Sequence, residues 1–263
     1  EIAMNKQDFE NNFKAFIKIL HQSVTDDADN WSIKGFIDAH KNVFTISSDT
    51  KIISKILEIH IFPLICNFAK KNGFDLVLAK HQNYYPDMSF VSKTDSSIKY
   101  AVDIKTTYRK NDDVCNGFTL GSHGEYFTNR SSLKNIQFPY HDYMAHYCLG
   151  IIYSRNEKID ETTIYSIDDI AKVTSVIKNI SFFFVEKWKI ASDISGSGNT
   201  ANIGSITKIS DIVSGNGSFA KYGENVFDDY WMNYKKITIT TPDGKTKRIS
   251  KLSDFLHYRG LKK

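Results

Sequence analysis

The chain has 263 residues, 41% of them hydrophobic and 24% charged, with a formal net charge of +4. That length and balance suit a folded chain with a sizeable core and exclude a disordered or fibrous one. A net charge so near zero announces no nucleic-acid partner, so any such partner must be read from where the charges sit.

Phe9, Phe13, Phe16, Ile17 and Leu20 recur at helical spacing, so residues 6–22 are expected to form an amphipathic helix. After a polar break at residues 26–30, residues 31–46 alternate loosely around Gly35 and Lys41-Asn42, which predicts a hairpin. Ser48 or Asp49 caps a second, strongly apolar helix. Pro63 is expected to kink or divide it, and Gly73 to follow its end. Strands are expected at residues 74–79, 88–91 and 98–107. Residues 143–147 read as a short helix leading into a strand at 149–153, and 182–191 as a second long strand. The stretch SGSGNTANIGS (195–205) is dense in turn residues and reads as a loop. Residues 226–234 read as an aromatic amphipathic helix, and the C-terminal KTKRISKLSDFLHYRGLKK is basic. With no internal repeat or low-complexity linker, the expected fold is α/β, a mixed β-sheet flanked by helices.

Cys66, Cys115 and Cys148 are far apart, with neither a Cys-x-x-Cys nor a cysteine–histidine zinc spacing. That usage predicts a reducing, cytoplasmic compartment. No apolar run of membrane-spanning length is expected, and no secretory segment is read at the N-terminus, so no membrane partner is expected.

The chemistry concentrates between Tyr85 and Tyr108. Residues two apart on a strand share a face, so Asp103 and Lys105 project together, opposite Tyr100, Val102 and Ile104. Asp87 opens a neighbouring strand and can reach the same spot. Two carboxylates converging in a partly buried cleft repel each other unless a cation neutralises them. Oxygen ligands of this kind suit Mg²⁺, and an adjacent lysine can hold a developing anion or orient an attacking water. An Asp-x-Lys spacing also arises from an ordinary surface ion pair, so spacing alone does not decide. Pro86-Asp87 followed by Asp103-x-Lys105 matches the PD-(D/E)-x-K nuclease pattern.

Five segments carry a wider resemblance: SDTKIISKILEIHIFP (48–63), HQNYYPDMSF (81–90), AVDIKTTY (101–108), FPYHDYMAHY (138–147) and SGSGNTANIGSI (195–206). In that order they resemble the EcoRV-type type II restriction endonucleases, from about Trp31 to Gly260. The resemblance implies a restriction-endonuclease-like core, and one nuclease domain over 1–263. A dimerisation subregion would lie around 6–46 and a DNA-recognition region around 182–263. It also implies a homodimer that cuts double-stranded DNA at a palindrome with Mg²⁺, at GATATC with blunt central cleavage. A host methyltransferase would protect the same site.

By the same resemblance Asp87 and Asp103 are the metal-binding carboxylates and Lys105 the catalytic lysine. Glu58, a lone acid in an apolar helix, takes the third acidic position as an auxiliary metal ligand. Gln82 and Asn83 lie toward the DNA, and His81 stands where the family has a first glutamine. Gly196, Ser197, Gly198, Asn199, Thr200, Ala201 and Asn202 form the recognition loop. Its glycines let backbone approach base edges, Asn199 can pair with adenine N6 and N7, and the Thr200 methyl can pack on a thymine methyl. Ala201 replaces a family threonine. The loop lacks the GxxxxGK[ST] spacing of a nucleotide-triphosphate cradle. Lys134, Thr107, Ser122, Arg130 and the basic C-terminus are candidate phosphate contacts, which supply affinity without sequence information. A nuclease of DNA repair or junction processing would share the core but lack a base-reading loop. A non-cleaving DNA-binding protein would share the loop, and the intact Asp87, Asp103 and Lys105 speak against it.

Overall fold

A computed structural model describes residues 4–196 and 201–261. Among them the elements run α1 (Lys6–Val24), β1 (Gly35–Ile37), β2 (Asn42–Thr45), α2 (Thr50–Lys71), β3 (Phe74–Leu78), β4 (Met88–Ser92), β5 (Lys99–Tyr108), β6 (Thr119–Ser122) and α3 (Glu125–Thr128). There follow β7 (Ala145–Arg155), β8 (Ile164–Ser166), β9 (Ile177–Glu186), α4 (Lys187–Ile190), β10 (Ala191–Ser195), β11 (Asn202–Ser205) and α5 (Ile209–Ser214). The chain closes with α6 (Glu224–Met232), β12 (Thr238–Thr240), β13 (Thr246–Arg248) and α7 (Leu252–Tyr258).

The central sheet has the order β3-β4-β5-β7-β9. The β5–β7 pair is parallel and the other three pairs are antiparallel, so the sheet is mixed as expected. One side is covered by α1 and α2. Asn5 caps α1 by accepting from the Asp8 N–H, and Phe9, Phe13, Phe16 and Leu20 bury one stripe. The Asp49 carboxylate caps α2, whose Ile53, Leu57, Ile61, Ile65 and Phe68 recur at turn spacing and are buried. These stripes pack on Tyr100, Val102, Tyr147, Leu149 and Phe184 from the sheet. Ala101, Cys148, Phe183 and Val185 point the other way, into a second cluster with Phe219, Phe227, Tyr230 and Trp231. The two-residue period of β5 therefore sends Asp103 and Lys105 to the second side.

The structure corrects five expectations, the first being that residues 195–205 are all loop: Ser195 ends β10 and Asn202–Ser205 form β11. Pro63 does not divide α2: the helix runs through it, with the ring on the exposed side. The helix expected at 143–147 is instead a 3₁₀ turn at Tyr140–Asp142, and β7 already begins at Ala145. Residues 182–191 are not one strand: β9 ends at Glu186, and the turn α4 redirects the chain into β10. Finally, α2 is long and apolar enough to cross a membrane by length and composition, contrary to the expectation that no such segment exists. Lys55, Glu58 and His60 interrupt its run, yet the mean hydropathy of its best window is 1.6. Its buried stripe packs against α1 and the sheet.

Two smaller sheets flank this core. In β1-β2-β8, Phe36 pairs with Phe44 and Phe44 with Ile164, so three exposed apolar side chains lie side by side on one face. In β10-β11-β6, Asn202 pairs with Ser122 beside the glycine-rich segment.

Candidate active site

The site forms where the β4–β5 ladder gives out. Met88 pairs with Val102, and one step beyond it main-chain pairing is replaced by side chains. The Asp87 N–H donates to Asp103 Oδ1 at 3.1 Å, and the Ile104 N–H donates to Asp87 Oδ2 at 2.7 Å. Each carboxylate is thus held by the other strand's backbone. Lys105 Nζ lies 2.5 Å from Asp103 Oδ2. Sequence reasoning placed these three groups together, and the structure brings them together.

Lys105 pairs in register with Gly150 on β7, and Gly150 with Phe183 on β9. A Cβ at Gly150 would overlap the Phe183 ring, so only glycine lets the ring lie over this position, one strand from Lys105.

Electrostatics separate the two acids. Asp87 is open to solvent on its cleft side. Burial by the surrounding walls and the charge of Asp103 push its carboxyl up to about 7, against the pull of Lys105. Burial also works against ionisation of Asp103, but Lys105 and hydrogen bonds from Lys105 and Asp87 outweigh it and hold that carboxyl low. Lys105 is desolvated too, yet the charges of Asp103 and Asp87 raise its ammonium well above the ordinary range. The site holds one firm anion, one firm cation and one acid poised near neutrality.

A cleft of about 1090 Å³ opens in front of Asp87, between α2 and the ends of β3 and β5. Glu58 lines it, but its Oε2 is taken by Lys55 Nζ at 2.9 Å. Among the described residues no three His, Cys, Asp or Glu side chains gather closely enough to hold a metal. Glu58 therefore shares the cleft with the pair without joining it. Two crowded carboxylates fit a divalent hard cation: they offer oxygen donors and mutual repulsion that such an ion relieves. Mg²⁺ commonly takes only one or two carboxylates and completes its shell with water and phosphate oxygens.

Gln82 and His81 are exposed on the same wall, His81 with its ring centroid 4.7 Å from that of Tyr84. Asn83 is exposed in the adjoining turn. Thr107 lines the cleft, but its hydroxyl donates to the Asn116 carbonyl at 2.7 Å. Asn116 and Gly117 are shared with a second groove of about 680 Å³ that runs to Ser195, Gly196 and Gly204. The Gly196 N–H donates to the Asn202 carbonyl at 2.8 Å, closing the neck of the glycine-rich segment. The Ala201 carbonyl accepts from the His123 N–H at 2.8 Å. Ser197, Gly198, Asn199 and Thr200 lie outside the described residues.

Other candidates are committed elsewhere. Lys134 pairs with Glu125 at 3.1 Å. Arg130 points inward to Asp228 at 2.9 Å and stacks over Phe127 and Tyr140, and Ser122 Oγ accepts from the Gly124 N–H. In the basic C-terminus, Lys245, Lys247 and Arg259 pair with Asp243, Asp254 and Asp229. Sequence reasoning passed over Lys55, although its spacing one helical turn before Glu58 was a usable signal.

Two carboxylates and a lysine gathered on a mixed sheet, with Asp87 opening on a long groove, are the equipment of a nuclease that cuts phosphodiesters. Comparison with known proteins names the kind. The family model described as "Restriction endonuclease EcoRV" matches residues 27–260. The chain is 35% identical over 245 residues to the type II restriction enzyme EcoRV of Escherichia coli, across 92% of this chain and 98% of that protein. It also aligns with the NlaIV restriction endonuclease over 97% of this chain and 96% of that one. That likeness, at 13% identity and a TM-score of 0.44, is too loose to carry weight. The chain belongs to the EcoRV family of restriction endonucleases, type II site-specific deoxyribonucleases.

Proposed function

We propose that the protein cuts double-stranded DNA at the palindrome GATATC, centrally and with blunt ends, using Mg²⁺. The observation that carries this is the convergence of Asp87, Asp103 and Lys105 beside a groove that leads to the glycine-rich segment. Asp87 and Asp103 would hold the cation, which when bound supplies charge stabilisation to the phosphoryl oxygens and the leaving 3′-oxygen. Lys105, fixed by Asp103, orients the attacking water and faces the charge that develops at phosphorus. The hexamer follows from the resemblance of residues 196–202 to the family's recognition loop, with Asn199 reading adenine. The flexible central TA step would let the duplex bend toward the acids.

A palindrome presents two identical half-sites, which a two-fold dimer matches. The exposed row Phe36, Phe44 and Ile164 supports a seam in the subregion around 6–46. The region around 182–263 is the recognition side of a single nuclease domain. The free cysteines suit the cytoplasm, where a methyltransferase of matching specificity would guard host DNA.

Plasmid digestion with sequenced ends tests the reading. Blunt cuts inside GATATC support it, and cohesive ends or cuts elsewhere refute the specificity. Asp87→Ala is expected to bind the duplex in Ca²⁺ and to leave it uncut in Mg²⁺.

A further inference from the structure

Lys55 has no part in the reading above. It stands on α2 one turn before Glu58, its Nζ 2.9 Å from Glu58 Oε2, and both side chains line the cleft with Asp87. Its ammonium is held above the ordinary range, first by the hydrogen bond to Glu58, then by the charge of Glu58, and further by that of Asp87. The pair is open: the Lys55 side chain is 71% exposed and Glu58 34%, against 23% and 12% for Lys105 and Asp103. An exposed pair of this kind exchanges partners readily, because water already screens it.

Charge arithmetic gives the exchange a direction. With all groups ionised, Asp87 and Glu58 in the cleft lining balance Lys51 and Lys55, and Asp103 behind them is balanced by Lys105. A DNA phosphate brings an excess anion, which competes with Glu58 for Lys55 and leaves a negative charge that a divalent cation relieves.

We propose that Lys55 is a DNA-responsive tether: it holds Glu58 in the DNA-free cleft and passes to a phosphodiester oxygen when the duplex enters, freeing the Glu58 carboxylate for the cation at Asp87. Divalent-cation binding and duplex binding then favour each other, and Lys55 carries part of that coupling. This rests on the nuclease reading of the cleft.

Calorimetric titration of Ca²⁺ into the intact protein without DNA, for the parent, Lys55→Met and Lys55→Arg, tests the tether. Duplex binding in chelator across a salt series, on a fragment the parent cuts, tests the passage to phosphate. Lys55→Met is expected to bind Ca²⁺ about tenfold more tightly without DNA, within the usual range of such couplings. Its log–log salt slope for duplex binding should fall by about 1, and Lys55→Arg should match the parent on both counts. An unchanged Ca²⁺ affinity in Lys55→Met overturns the tether, and an unchanged salt slope overturns the passage to phosphate. A parent that cuts no duplex in Mg²⁺ overturns the nuclease reading instead. A parent that cuts, beside a Lys55→Met protein altered in neither measurement, overturns this proposal alone.

Discussion

Lys105–Asp103 and Lys55–Glu58 are the same pairing of ammonium and carboxylate, set beside one cleft in different surroundings. The first lies on a central strand at 2.5 Å, with both side chains largely covered and Asp103 further gripped by the Asp87 N–H. The second lies on the open flank of a helix at 2.9 Å, with no further hydrogen-bond partner among the described residues. Desolvation decides the difference. A covered pair is costly to assemble and costly to halve, whereas an exposed pair contributes little and yields to the next ion that arrives. The sheet therefore supplies the fixed part of the chemistry, and α2 supplies a part that can move.

The contrast breaks first at Asp103. Asp103→Ala should lower cleavage of a mapped plasmid site by about a thousandfold or more, by removing both the proposed cation ligand and the anchor of Lys105. The same variant strands Lys105 and should lower the unfolding free energy by about 3 kcal/mol in urea melts. A loss as small as that of an exposed pair would erase the distinction. Reversing the other pair, Lys55→Glu with Glu58→Lys, keeps its attraction but moves the acid by one turn. Cleavage should then fall about tenfold while stability stays within about 0.5 kcal/mol of the parent, as is usual at exposed sites. An unaltered rate would mean that the position of the Glu58 carboxylate is irrelevant.

Asp87 sharpens the comparison through pH. Its carboxyl is raised in the fold, so the stability it contributes is present below the unfolded value near 4 and is lost as pH rises through about 7. In chelator, Asp87→Asn should therefore gain on the parent between about pH 4 and pH 8. The gain is roughly 1 kcal/mol after allowance for solvent screening on the open side of the cleft. A flat difference would mean that Asp87 is no more strained than an exposed carboxylate. The smallest effect belongs to Lys55→Met, whose melting should shift by no more than about 0.5 kcal/mol in equivalent stability.

What the sequence revealed follows the same divide. α1 was legible because it keeps one stripe apolar, which periodicity reports directly, and β4 and β5, buried on both faces, because they are short apolar runs bounded by turn residues. The Asp87, Asp103 and Lys105 constellation was legible because strand alternation fixes which side chains share a face. β7 hid its start: its first nine residues are buried on both faces, so the aromatic pair Tyr143 and Tyr147 mimicked a helical spacing. The bend at α4 hid as well, because Lys187 is a buried lysine over the rings of Tyr85, Phe127 and Tyr140, a contact that depends on the far side of the fold. Arg130 misled for the same reason, since its aspartate partner is Asp228. Lys55 was overlooked although its spacing to Glu58 was readable, because such a pair looks the same on any helix until the cleft in front of it gives it meaning.

Gly150 carries neither charge nor donor side chain, yet it decides how the Phe183 ring lies on the sheet one strand from Lys105. A single added methyl would have to displace an aromatic plate packed one strand away from the ammonium. A Gly150→Ala variant is thus expected to disturb the site with every acid and base intact, and a survey of inactive mutants that looks only at polar positions would overlook the lesion.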